Sequence, residues 1–154
     1  MKICTFSILV FFTFIVSSFA FADWNGSWKG EGSLTVNGKT FSCETIELTL
    51  QQTPTSLTIA KEHIHCGSLD SEGDMQVLSI KDGGLYYGKT PVGSIKDDKI
   101  LLLYVGLDST FQVIYERTVD SDPKAIHYLV DGSGLDENGN TIALTLDGQL
   151  KNVE

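Results

Sequence analysis

The sequence predicts an all-β fold, a single antiparallel meander barrel of about 8–10 strands. Three observations carry this. Short runs alternate apolar and polar residues with period two. Gly, Asn, Asp and Pro punctuate the runs. Beyond the first 22 residues, no stretch keeps a helical spacing of apolar side chains. Runs joined by tight turns pair as successive hairpins, and closing such a meander on itself removes both exposed edges. A two-sheet sandwich is the alternative arrangement of the same strands.

The first run is the clearest. Trp24, Gly26, Trp28, Gly30, Gly32, Leu34 and Val36 alternate with Asn25, Ser27, Lys29, Glu31, Ser33 and Thr35. One face is apolar or small and the other polar, the pattern of a strand with one side in a core. The inner glycines leave room for a sharp bend or for large neighbours. Asn37-Gly38, a favoured hairpin pair, turns the chain into Thr40–Gln52. Ser56–Cys66 follows Thr53-Pro54-Thr55, and a loop with Asp70, Glu72 and Asp74 comes next. Met75–Lys81 and Leu85–Lys89 flank Asp82-Gly83-Gly84, and Val92–Lys96 and Lys99–Val105 flank Asp97-Asp98. Thr110–Val119, a loop carrying Asp122-Pro123, Ala125–Val130 and Asn140–Leu150 complete the set. Ile100–Val105 breaks the alternation. A run apolar on both faces wants cover on both, from a loop or from an oligomer or protein partner.

Residues 1–22 read as a signal peptide and 23–154 as the barrel domain. Lys2 precedes an apolar run, and Ala20-Phe21-Ala22 gives the small-x-small pattern of a cleavage site before Asp23. A membrane anchor is the rival reading, since a spanning helix needs roughly 20 apolar residues. Against it, no Lys or Arg cluster follows the run. The expected location is secreted or periplasmic, with no membrane association after cleavage. The chain carries 20 acidic and 11 basic residues, and Arg117 is its one arginine. So acidic a surface argues against nucleic acid and anionic lipid as partners, both of which call for clustered Lys or Arg.

Cys43 and Cys66 remain after removal of the leader, and an even count in an exported chain predicts one disulfide. A hairpin centred between Pro54 and Thr55 puts Leu50 opposite Ile59 and Cys43 opposite Cys66. Directly opposed residues have Cβ atoms near enough to bridge.

Gly26-Ser27-Trp28 on the first strand resembles the Gly-x-Trp motif that opens lipocalin-like (calycin) barrels. The resemblance implies a tryptophan packed across the closed end of the barrel, with an arginine from a late strand stacked over it. Trp28 and Arg117 are the matching residues, and their expected role is structural. The longer string Gly26-Ser27-Trp28-Lys29-Gly30-Glu31-Gly32 is similar to the opening of haem-binding nitrobindin-like barrels. That family holds iron through a histidine near its C-terminal end. The last histidine here, His127, does not match the haem motif, and no cofactor is expected.

His63-x-His65 places two imidazoles about 7 Å apart on one strand face, a spacing that suits zinc or copper given a third ligand such as Glu44. The alternative, a surface histidine paired with Glu44, is preferred, and no metal is expected. Asp70, Glu72 and Asp74, or Asp131, Ser133 and Asp136, do not match the spacing of a calcium loop. No Gly-x-Ser-x-Gly elbow is present and His127 has no marked nucleophile, so no catalytic residue and no enzyme are expected. Tyr86, Tyr87, Tyr104, Phe111, Tyr115 and Tyr128 suit either a cavity wall or plain core. The functional expectation is a small apolar or amphipathic ligand held inside the barrel against Trp24, Leu48, Tyr115 and Tyr128. The alternative is an interaction module with a filled barrel, an inhibitor or envelope-associated factor, using Leu101 and Leu103 or the acidic loops.

Overall fold

A computed structural model describes residues 23–118, 125–136 and 138–153. The expected signal peptide, residues 1–22, and the loop of Asp122-Pro123 lie outside the described residues. Among the described residues there is no helix. The strands are β1 Gly26–Val36, β2 Lys39–Gln52, β3 Ser56–Cys66, β4 Leu69–Gly73, β5 Gln76–Lys81, β6 Gly84–Tyr87, β7 Thr90–Ile95, β8 Lys99–Val105, β9 Ser109–Arg117, β10 Ala125–Leu135 and β11 Thr141–Asn152. All but β4 form a closed antiparallel barrel of ten strands, β11 returning to pair with β1.

The extra strand corrects one expectation. Residues expected to form the acidic loop after β3 form β4 instead. β3 holds two partners in succession along one side. Ser56–Ile59 pairs with β5, and Glu62–Cys66 pairs with β4. Asp70 and Glu72 stay in water while their backbone groups find the ladder, and the demand for backbone hydrogen bonds outweighs the polar composition. β10 also runs past the expected Val130 to Leu135, paired on both sides. The turns follow the sequence closely. Asn37-Gly38 (φ 49° and 80°) and Asp82-Gly83 (φ 50° and 77°) take the left-handed backbone that a two-residue hairpin requires.

The β2–β3 hairpin contains two bulges that cancel. Leu50 faces Ile59 and Cys43 faces Cys66, the register the sequence predicts. Between those pairs the register is displaced by one, with Leu48 opposite Glu62 and Thr45 opposite His65. Ala60 is the extra residue on β3 and Glu44 the extra residue on β2. Since side chains alternate along a strand, the Ala60 bulge changes which residues of β3 point inward. Leu57 and Ile59 are buried before it, and Glu62, Ile64 and Cys66 face inward after it. Lys61 is turned outward, where it and Lys29 grip Glu47 at 2.5 and 2.8 Å. These two cations hold the Glu47 carboxyl down at about 2.

One end of the barrel is filled. Trp28, Ile46, Leu48, Leu50, Leu57, Ile59, Leu78, Ile100, Leu102, Ile126 and Leu150 are buried there or along the adjoining interior. Gly32 and Gly148 make room for Ile46, whose Cδ1 would lie 2.9 and 2.6 Å from a Cβ at those positions. The chain enters across this end. Gly26, at φ 142°, bends residues 23–25 off the path of β1. Trp24 then lies fully buried over the core, its Nε1 donating to the Lys96 carbonyl at 3.3 Å. The Arg117 guanidinium sits 4.7 Å above the Trp24 ring and donates to the Asp23 carbonyl.

The stacked pair is therefore Arg117 with Trp24, and the expected pairing with Trp28 is corrected. Both tryptophans fall on the inward phase of the first run. The turn at Gly26 decides which of them crosses the barrel end, and alternation does not report it. Trp28 is buried within the core beside it.

Candidate functional site

The other end of the barrel is not filled. A cavity of about 290 Å³ opens there between β1, β3, β4, β5 and β8–β11. Its walls are apolar, with Leu34, Ile64, Phe111, Val113, Leu144 and Leu146 prominent. Tyr115 and Tyr128 form its floor, their rings stacked at 5.2 Å between centroids and 15° between planes. An adjoining groove along Val36, Phe41 and Cys66 shares Leu34 and Leu69 with the cavity. The Cys43–Cys66 disulfide ties β2 to β3 beside that groove.

The wall is low on one side because β6 and β7 are short. β6 pairs with β5 only over Ser79–Lys81, and β7 pairs with β8 only over Ile100–Leu102. Gln76 and Tyr104 thus face each other across a notch that no strand fills. The Tyr104 hydroxyl donates to Gln76 Oε1 at 2.8 Å. Asp74, Met75, Tyr87 and Val92 surround a second hollow on the outer side of this bridge.

Six polar side chains line the cavity: Glu62, Ser71, Gln76, Tyr104, Tyr115 and Tyr128. Tyr128 donates from its hydroxyl to Glu62 Oε1. Tyr104 and Gln76 make the bridge just described, and Glu62 is the one charged residue in the lining. Burial pushes all three phenols up. Tyr104 rises to about 12, first by desolvation and then by the nearby Glu62 charge. Tyr115 and Tyr128 lie well above the ordinary value of 10 for the same first reason. These phenols are neutral hydrogen-bond donors at any physiological pH.

Of the four residues expected to line a ligand site, the structure brings two together. Tyr115 and Tyr128 border the cavity. Trp24 does not, because it caps the filled end beneath Arg117. Leu48 does not either, being packed in the core of β2. Tyr104 and Phe111 belong to the cavity, whereas Tyr87 is exposed. Glu62 was hidden from the sequence reading, because strict alternation from Ile59 turns it outward. The available signal is the change of phase in β3, from apolar Leu57 and Ile59 to apolar Ile64 and Cys66. His63 and His65 stand on the outer face, with His63 Nε2 2.7 Å from Asp70 and His65 Nε2 3.5 Å from Glu44. Among the described residues no group of three such side chains is placed to hold a metal. In Ile100–Val105, Ile100 and Leu102 face the core, Tyr104 the cavity, and Leu103 remains half exposed.

No family model matches the chain. No curated protein matches it in sequence. Among solved structures, the S-type phycobiliprotein lyase CPES from Guillardia theta is similar in fold, with a TM-score of 0.62 at 10% identity over 85% of this chain and 89% of that one. The likeness agrees with a calycin-like barrel. It also overturns one expectation. The sequence carried no catalytic motif and no enzyme was expected, yet the matching barrel is named a lyase, so that expectation does not stand.

Proposed function

We propose that this chain is a ligand-binding barrel that takes a small, largely apolar molecule in the cavity above Tyr115 and Tyr128. The cavity itself carries the reading. A concave apolar space near 300 Å³ with a few convergent polar groups is the usual form of a small-molecule site. The filled opposite end lets the scaffold hold its shape without a ligand. The apolar leader and the Cys43–Cys66 bond support work outside the cytosol, since disulfides persist in oxidising compartments.

Binding of the neutral fluorophore N-phenyl-1-naphthylamine tests the reading. The dye's emission should rise on binding to the wild-type protein. Leu144→Trp, which fills the cavity from β11, should abolish that rise while preserving the fold. Absence of binding tighter than ~100 μM, about −5.5 kcal/mol, overturns the reading. So does unchanged binding to a folded Leu144→Trp variant.

A second reading draws on the Tyr128–Glu62 pair and on the lyase that shares this fold. It is proton-transfer chemistry on the bound molecule, with Glu62 as base. A time-dependent change in the mass or absorbance of a bound compound, abolished in Glu62→Gln, separates it from binding alone.

A further inference from the structure

We propose that Glu62 makes the cavity selective for apolar molecules that carry an amine or another cationic nitrogen. This rests on the ligand-binding reading above and specifies its chemistry. The Ala60 bulge turns this carboxylate into a space whose other walls are apolar or neutral. Among the described residues no Lys, Arg or His forms an ion pair with it. The nearby cations are committed elsewhere: Lys61 and Lys29 to Glu47, His63 to Asp70, His65 to Glu44 and Asp70.

One oxygen of this carboxylate is open to the cavity. Tyr128 satisfies Oε1 of Glu62, while Oε2 accepts no hydrogen bond from the described residues. Opposite it on β4, Gly73 keeps the space open, since a Cβ there would stand 3.3 Å from Oε2. The groups that face the carboxylate are Tyr104, Tyr115 and Tyr128. All three are kept neutral by burial, so none of them contributes a compensating charge. A carboxylate in apolar surroundings is stabilised by a cation that brings its own hydrogen-bond donors. A second anion would meet repulsion with no cation beside it to relieve it. The arrangement therefore accepts an ammonium, tolerates a neutral donor and rejects a carboxylate.

Three near-isosteric probes test this at pH 7: 1-naphthylmethylamine, 1-naphthalenemethanol and 1-naphthoic acid. Their dissociation constants are measured by displacement of N-phenyl-1-naphthylamine. The amine should bind at least tenfold more tightly than the acid, with the alcohol between them. Glu62→Gln should bring the amine to the level of the alcohol. Tyr128→Phe, which leaves the charge in place, should preserve the order. An acid that binds as well as the amine, or an order unchanged in Glu62→Gln, overturns the inference and leaves the ligand-binding reading standing. Failure of all three probes while the dye still binds does the same. Should Glu62→Gln fail to fold, the order in the wild type and in Tyr128→Phe still decides. If neither the dye nor any probe binds, the broader reading fails and the inference with it.

Discussion

Tyr104 on β8 and Gln76 on β5 are joined by a 2.8 Å hydrogen bond across a gap from which β6 and β7 fall short. Both residues line the cavity and the hollow outside it, so the bond stands between the two. Tyr104→Phe keeps the ring and removes the bridge. We expect the dye to leave about three- to tenfold faster, the range of one ordinary hydrogen bond. Affinity should change less, because entry quickens too. Stopped-flow displacement checks this, and an unchanged dissociation rate would place the exit at the barrel mouth.

The disulfide closes a loop with a sequence separation of 23 residues. In the chain-entropy picture it stabilises the fold by ~3 kcal/mol. The Cys43→Ser, Cys66→Ser double variant should lose about that much in urea denaturation. Its loss should match that of the wild type under reducing conditions.

At the filled end, Trp24→Ala removes a fully buried indole and should cost ~3–5 kcal/mol. The same cost is expected of Trp28→Ala, so single variants do not distinguish the two roles. A double-mutant cycle does. Arg117→Ala should couple to Trp24→Ala by ~0.5–2 kcal/mol, the range of a cation–π contact, and markedly less to Trp28→Ala. Equal coupling to both indoles would contradict the stacked pair.

Tyr104, Tyr115 and Tyr128 make the barrel sensitive to alkali. Their folded values lie above the ordinary 10, so the folded state keeps protons that the unfolded chain releases. The stability tied to their neutral form is fully present below pH 10. It falls as pH rises from there through the folded values, about 12 for Tyr104. Absorbance at 295 nm should show tyrosinate from these three forming together with the loss of β-sheet circular dichroism. A full tyrosinate signal before any unfolding would show them to be accessible.

The fold was legible because its determinants are local. Alternation marks β1 and β2, and Asn37-Gly38 and Asp82-Gly83 carry their own turn geometry. The Cys43–Cys66 register survived because two bulges cancel between the turn and the bridge. The site was less legible, and for a related reason. Each of its special features comes from a departure from period two. The Ala60 bulge puts Glu62 inside, and the bend at Gly26 sends Trp24 across the filled end. β4 was missed because Asp70 and Glu72 read as loop, while its pairing depends on the spare length of β3. The inward placement of Tyr115 and Tyr128 was legible because β9 and β10 keep a regular phase and face each other directly.

A single added residue thus decides the electrical character of the interior. With Ala60 looped out, β3 offers Glu62 and Ile64 to the inside. Were Ala60 to pair in the ladder instead, strict alternation from Ile59 would offer Lys61, His63 and His65 to the inside, exchanging an acidic lining for a basic one with no side chain altered. The phase of the strand, set by one unpaired residue, is thus a variable separate from its side chains, and it decides the sign of the charge that the interior receives.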